Sequence, residues 1–461
     1  MTSSNRRILI IIAIILVACL CTFTITAGFT ISRFVAFVED IDLPATSPAS
    51  TDRPSPSTTD TTISPEIISQ MALIESQVIE LRGLQPSGGV TRALYTPADL
   101  RTRLIEDFFA DYTAEEAAQD VLVLSLLGLV PADLDLHQIY IDLYSEGIAG
   151  FYDDDTSEMV VILGSGFGGL EQLTYAHEYI HVLQDQTYDL ADGLGYNDET
   201  CEEDGEFCLA LQALVEGDAT LAELTWFDDY ATDRQREEVF DFYGDYESPV
   251  YDAAPPFLQQ DLLYAYTAGY LFVQHLYEQG GWPAVDAAYL APPTTTEHIL
   301  HPELYPGELP HIVLLPELTA VLGEDWQLLE EDTLGEWYTY MLLGQAHNPA
   351  ARQNEARARA AAAGWGGDRY AVYQQDGSEQ LSLVVYHTWD SQFDAEEFAT
   401  AFMQYAAARF GDPVSQTSTR TLWSDEDGVH MLFTTEGETV WIFAPDEDTA
   451  IEIYEFIQEG A

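Results

Sequence analysis

The residues with the clearest chemical meaning are His177-Glu178-Tyr179-Ile180-His181. Residues four apart share a helix face, so both imidazoles can turn one ring nitrogen toward a single metal ion. Glu178 is offset beside them, where its carboxylate can reach water on that metal and take a proton from it. Leu173, Ala176, Ile180 and Leu183 suit a buried helix, which would keep the two imidazoles rigid and partly dry.

A catalytic zinc ion needs a third protein ligand and an open position. No third histidine follows His181 at the metzincin spacing. Glu216 is the expected third ligand. It ends the apolar run Leu211 to Val215, where a lone carboxylate is costly unless it meets a cation. Gly217 and Ala219 would let this second helix approach the first closely. Asp218 and Asp185 are candidates to orient a histidine.

His177-Glu178-x-x-His181 followed by Glu216-Gly-x-Ala219 resembles the gluzincin clan of metallopeptidases, which includes thermolysin-like and aminopeptidase-N-like enzymes. Gly150-Phe-Tyr152, His181-Val-Leu-Gln-Asp-Gln186 and Leu214-Val-Glu-Gly-Asp-Ala219 are also similar to a family of uncharacterised bacterial membrane-anchored proteins with a peptidase-like core. The resemblance covers roughly residues 140–305. It implies Zn²⁺ held by His177, His181 and Glu216, with Glu178 as general base. Tyr264-Ala-Tyr266-Thr-Ala-Gly269 resembles the Tyr-x-x-Gly segment of the aminopeptidase-N-like enzymes, which implies that Tyr266 donates to the oxyanion. His298 and His301 are rival donors. The Gly-x-Met-Glu-Asn motif that those enzymes use to hold a substrate amine is missing, so exopeptidase action has no support in the sequence. In gluzincins an edge strand pairs with the extended substrate. The expected counterpart here is Met159-Val-Val-Ile-Leu163.

The elements that must position these residues are mostly helices. Apolar spacing predicts helices over 66–83, after Thr96-Pro97, over 113–128, from Leu170 through the HEYIH motif, and over about 207–227, 257–280 and within 325–346. Two short strands are expected around the Asp-rich turn in 150–163. Past Gly364-Trp-Gly-Gly367 the pattern changes to strands at 369–374, 381–389, 429–434 and 439–444, with helices at about 394–410 and 446–458. The expected fold class is α+β: a mostly helical zincin-like core with a small sheet over 66–350, plus a C-terminal α/β domain over 360–461.

Residues 1–40 read as a membrane anchor. Arg6-Arg7 precede an uncharged run from Ile8 to Ile31, long enough to span a bilayer as a transmembrane helix, with the remainder of the chain outside the cytoplasm. Leu16-Val-Ala-Cys19 resembles a lipobox, so a bacterial lipoprotein and a cleaved signal are the alternatives. Residues 41–65 are rich in Pro, Ser and Thr and read as a stalk.

The formal net charge is −63, and all sixteen basic residues are arginines. Such a surface excludes nucleic acid as a partner. It would attract cations and basic peptides, or adapt the protein to a salty or acidic medium. Cys201 and Cys208 flank an acidic loop and are expected to form a disulfide in an oxidising compartment. The expected function is an extracytoplasmic zinc metallopeptidase acting on a peptide or protein substrate. The alternative is an inactive zinc-binding scaffold at the cell surface.

Overall fold

A computed structural model describes residues 63–460 except 111, 165, 245, 379 and 426, together with the backbone of Ala13–Ile15. The architecture is mixed α+β. In chain order its elements are β1 (Ala13–Ile15), α1 (Pro65–Arg82), β2 (Thr91–Tyr95), α2 (Pro97–Arg103), α3 (Ala114–Leu127), α4 (Leu136–Gly147), β3 (Ile148–Asp153) and β4 (Glu158–Ile162). Then come α5 (Gly169–Tyr188), α6 (Asp198–Glu203), α7 (Gly205–Asp229), α8 (Asp233–Gly244), α9 (Pro249–Ala253), α10 (Pro256–Gly280), α11 (Trp282–Leu290), α12 (Thr296–Leu300) and α13 (Thr319–Leu322). The C-terminal part holds β5 (Trp326–Asp332), α14 (Gly335–Gly344), α15 (Glu355–Ala362), β6 (Trp365–Gln375), β7 (Leu381–Trp389), α16 (Gln392–Phe410), β8 (Ser415–Gln416), β9 (Arg420–Ser424), β10 (Val429–Thr435), β11 (Glu438–Ala444) and α17 (Glu447–Gly460).

The helix ends follow local chemistry. Thr96 and Asp99 form a reciprocal capping box at the start of α2, and Thr113 and Glu116 do the same for α3. Glu171 accepts from the backbone N–H groups of Gly164 and Gly168 and so closes the entry to α5. Helix α5 is buried from Gly169 almost without break to Gln184, apart from half-buried Leu170.

The first sheet has the strand order β1-β3-β4-β2, with β3 and β4 antiparallel and β2 parallel to β4. Strand β4 is therefore central. The expectation that Met159–Leu163 offers a free edge is corrected, because β2 pairs with β4 from Thr91 to Tyr95. Strand β3 stands nearer the rim and carries β1 on its outer side, Ala13 opposite Phe151.

Of the run Ile8 to Ile31, the described residues are Ala13–Ile15 alone, and these are extended. Among the described residues no helix is long and apolar enough to cross a membrane. The expected transmembrane helix thus gains no support here. Its other residues, and the 41–62 part of the stalk, lie outside the described residues.

The second sheet is antiparallel throughout, in the order β5-β6-β7-β11-β10-β9-β8. Its period-two pattern serves two layers. Leu383 and Val385 pack with Phe398 and Phe402 of α16, in a core continuous with α7, α10 and α14. Val384 and Tyr386 pack with Ile453 and Ile457 of α17 on the other face. Each large apolar side chain withdrawn from water in this way contributes about 1.5–3 kcal/mol.

The four core strands and two helices of this region match the sequence pattern. The helix expected within 325–346 is α14, and the part of that span before it is strand β5, which was not expected and pairs antiparallel with Tyr370–Gln375 of β6. The sheet thus draws a strand from the span assigned to the core at 66–350.

Candidate metal centre

His177 and His181 project from α5, and Glu216 projects from α7. One ligand atom from each lies within 4.8 Å of the others. The Glu216 Oε2 atom is 3.3 Å from His177 Nε2 and 3.5 Å from His181 Nε2. All three side chains are fully buried. Two imidazoles and a carboxylate form the donor set that a zinc ion takes. His181 Nε2 and Glu216 Oε1 are buried without a hydrogen-bond partner, as metal-facing atoms would be.

The opposite imidazole nitrogens are held by further side chains. His177 Nδ1 lies 3.0 Å from Glu223 Oε2, and His181 Nδ1 lies 2.8 Å from Gln184 Oε1. Gln184 in turn donates to the Val215 carbonyl and to Asp218 Oδ2, both at 3.0 Å. Asp218 accepts from Tyr289 and is paired in two places with Arg82, Nε to Oδ1 at 2.7 Å and a terminal nitrogen to Oδ2 at 3.1 Å. A chain of polar contacts therefore runs from the last residue of α1 to His181.

Of the two residues expected to orient a histidine, Asp218 acts through Gln184. Asp185 instead accepts from the Tyr152 hydroxyl at 2.8 Å. Glu223, Gln184 and Arg82 were not singled out from sequence. Glu223 is seven residues after Glu216, two turns along the same helix face, and that spacing was the available signal.

Burial works against a charged His177, but Glu216 and Glu223 outweigh it and raise its pKa to about 10. Burial would raise the Glu216 pKa too, yet His181 and His177 pull it down to about 2. Without metal, the pair is thus an imidazolium and a carboxylate. Glu178 is fully buried and neither of its oxygens makes a hydrogen bond. Burial holds its pKa well above the usual carboxylate range, against the opposing influence of His177.

Two glycine contacts set the spacing. A Cβ on Gly150 would lie 2.8 Å from the Val160 carbonyl oxygen and 3.1 Å from Glu178 Cγ, so its absence lets β3 lie on the turn of α5 that carries Glu178. A Cβ on Gly217 would lie 2.2 Å from the Gly269 carbonyl oxygen, and one on Gly269 would lie 2.0 Å from that of Ala213. Gly217 therefore serves the crossing of α7 with α10, not the approach to α5 expected from sequence. Ala219 does pack in the cluster that holds Ala176 and Ile180 of α5.

The α7–α10 crossing brings Tyr266 to the centre. Its buried ring lies 6.4 Å from the His177 ring. The rival donors are engaged elsewhere. His298 meets the Glu308 carbonyl at 2.8 Å, and His301 meets Glu336 at 2.9 Å. Cys201 and Cys208 are joined by a disulfide that links α6 to the first turn of α7.

A family described as a domain of unknown function, DUF8575, matches residues 326–454. That span holds the seven-stranded sheet and lies wholly after His177, His181 and Glu216. Compared with curated proteins and with solved structures, the chain matches none.

Proposed function

We propose that the chain is a gluzincin-type zinc metallopeptidase. The observation that carries the reading is the convergence of His177 Nε2, His181 Nε2 and the Glu216 carboxylate, with the unbonded carboxylate of Glu178 beside them. Zinc, when bound, lowers the pKa of water and polarises a carbonyl. Glu178 takes the proton of the attacking water and passes it to the leaving amine nitrogen. Its burial suits a group that must bind and release a proton. Glu223 and Gln184 fix the imidazole orientations. Tyr266 donates its hydroxyl to the developing oxyanion.

Attachment to a membrane with the centre outside the cytoplasm rests on Arg6-Arg7 and the apolar run after them. The Cys201–Cys208 disulfide supports an oxidising compartment.

The test is Glu178→Gln in the full chain. Zinc content by metal analysis should stay at one per chain while peptide hydrolysis disappears. Hydrolysis at the wild-type rate would sink the mechanism.

A second reading has its own support. His177, Glu178, His181 and Glu216 are all fully buried, as in a closed structural centre. A scaffold protein that keeps zinc would give stoichiometric metal and no cleavage of any peptide, for wild type and variant alike.

A further inference from the structure

A cavity of about 330 Å³ opens beside the metal centre, between the first turns of α7 and α10. Its wall includes Tyr266, whose ring adjoins His177. It also includes Tyr196, whose hydroxyl feels the charge of Glu216. Gln212, one turn before Glu216 on α7, also lines the cavity. Tyr140, Tyr144, Tyr338 and Tyr370 complete an aromatic lining. Such rings attract a cation to their faces and bind the apolar stem that carries it.

Two carboxylates, Asp261 and Asp332, face this aromatic space. Asp261 accepts from the Trp337 indole N–H at 3.1 Å and from the Tyr338 hydroxyl at 3.4 Å, both neutral donors. Asp332 accepts from the Thr333 N–H, and Arg369 stays 3.9 Å from it while bonding Glu331 at 3.0 Å. Asp261 therefore carries an acid that no cation neutralises through these contacts. On α10 it stands five residues before Tyr266, which is about 7.5 Å along the helix axis. Tyr266 and Asp261 line the same cavity, so a side chain that enters it past Tyr266 would meet Asp261 inside it.

We infer that this cavity is the subsite for a cationic side chain, an arginine or lysine of the substrate next to the scissile bond. The inference rests on the peptidase reading and gives it a substrate class. The rest of the chain agrees with it, since a protein of net charge −63 gathers basic peptides and repels acidic ones. Burial raises the Asp261 pKa to about 6, so the acid is ionised at neutral pH, when a cation would meet it. An aromatic or aliphatic side chain would also fit among the tyrosines, but it would leave Asp261 facing apolar carbon.

The test uses the full chain loaded with zinc and two peptides that differ at one position, arginine against its neutral isostere citrulline. The arginine peptide should be cleaved with a kcat/KM at least about tenfold higher. Asp261→Asn keeps an acceptor for Trp337 and should bring that ratio close to one. A wild-type ratio of one, or a preference for citrulline, would overturn the assignment without any variant being needed. Cleavage of neither peptide would count against the peptidase reading. Binding then decides the subsite separately: calorimetry of an arginine amide and its citrulline counterpart on Glu178→Gln protein should still favour arginine at least about tenfold. Equal binding of the two would remove the subsite as well.

Discussion

Glu223 Oε2 lies 3.0 Å from His177 Nδ1, and Glu216 Oε2 lies 3.3 Å from the Nε2 of the same ring. One helix, α7, thus grips one imidazole from both sides, with the proposed ligand Glu216 at one nitrogen and Glu223 at the other. A carboxylate in this position fixes the tautomer and makes the ring a better donor. Glu223→Ala should therefore weaken zinc binding by about 10- to 100-fold while the fold remains. Competition with a chelator measures the affinity, and an unchanged value would show that Glu223 is only a buried neighbour.

Acidity should govern metal loading. Free of metal, His177 holds its proton up to a pH of about 10, because Glu216 and Glu223 overcome the effect of burial. Zinc must displace that proton. Below pH 10 the apparent affinity should then rise with pH, by about tenfold per unit. Chelator competition at pH 6, 7 and 8 reads this slope directly, and a flat profile would contradict it.

Arg82 and Asp218 form a fully buried, two-point ion pair. Losing one partner leaves the other charge buried alone, at a cost of about 3–5 kcal/mol. Arg82→Met should lower stability by that amount in denaturant titration. It should also loosen zinc, because Gln184 and His181 hang on Asp218. Replacing both residues by apolar ones should recover part of the stability and none of the zinc affinity.

Glu297 tests linkage away from the metal. It is buried, and its Oε1 has no hydrogen-bond partner. Burial, then the charges of Glu336 and Asp390, raise its pKa from 4.5 to about 8. The folded state thus binds this proton more tightly than the unfolded chain does. The stabilisation is complete below pH 4.5 and is lost as pH rises through 8. Glu297→Gln should match wild type near pH 5 and be more stable at pH 8.5 by about 1–3 kcal/mol. Thermal melts across that window provide the comparison.

What could be read from the chain in advance followed from local physics. The i, i+4 spacing of His177 and His181 lies within one helix, so their common direction needs no tertiary information. The apolar run before Glu216 marked an acid that had to meet a cation. The β-branched and aromatic runs in 381–389 and 439–444 identified strands, and they are apolar almost throughout because both faces of that sheet are covered.

Contacts between distant segments were decided by packing. Nothing near Trp326–Asp332 announces a strand, because its partner Tyr370–Gln375 comes some forty residues later. Strand β4 reads the same at an edge or a centre, and only β2, whose Thr91 pairs with Glu158 some 67 residues later, makes it central. Gly217 advertised a close approach but not to which helix, and the carbonyl of Gly269 answers that. The sequence by itself determined that His177 and His181 share one helix face with Glu178 beside them. The tertiary structure alone decided that Glu223, Gln184 and Arg82 stand behind that face, and that a tyrosine-lined cavity with Asp261 opens beside it. Ligand spacing is a property of one helix, whereas support and specificity come from helices crossing at glycine contacts.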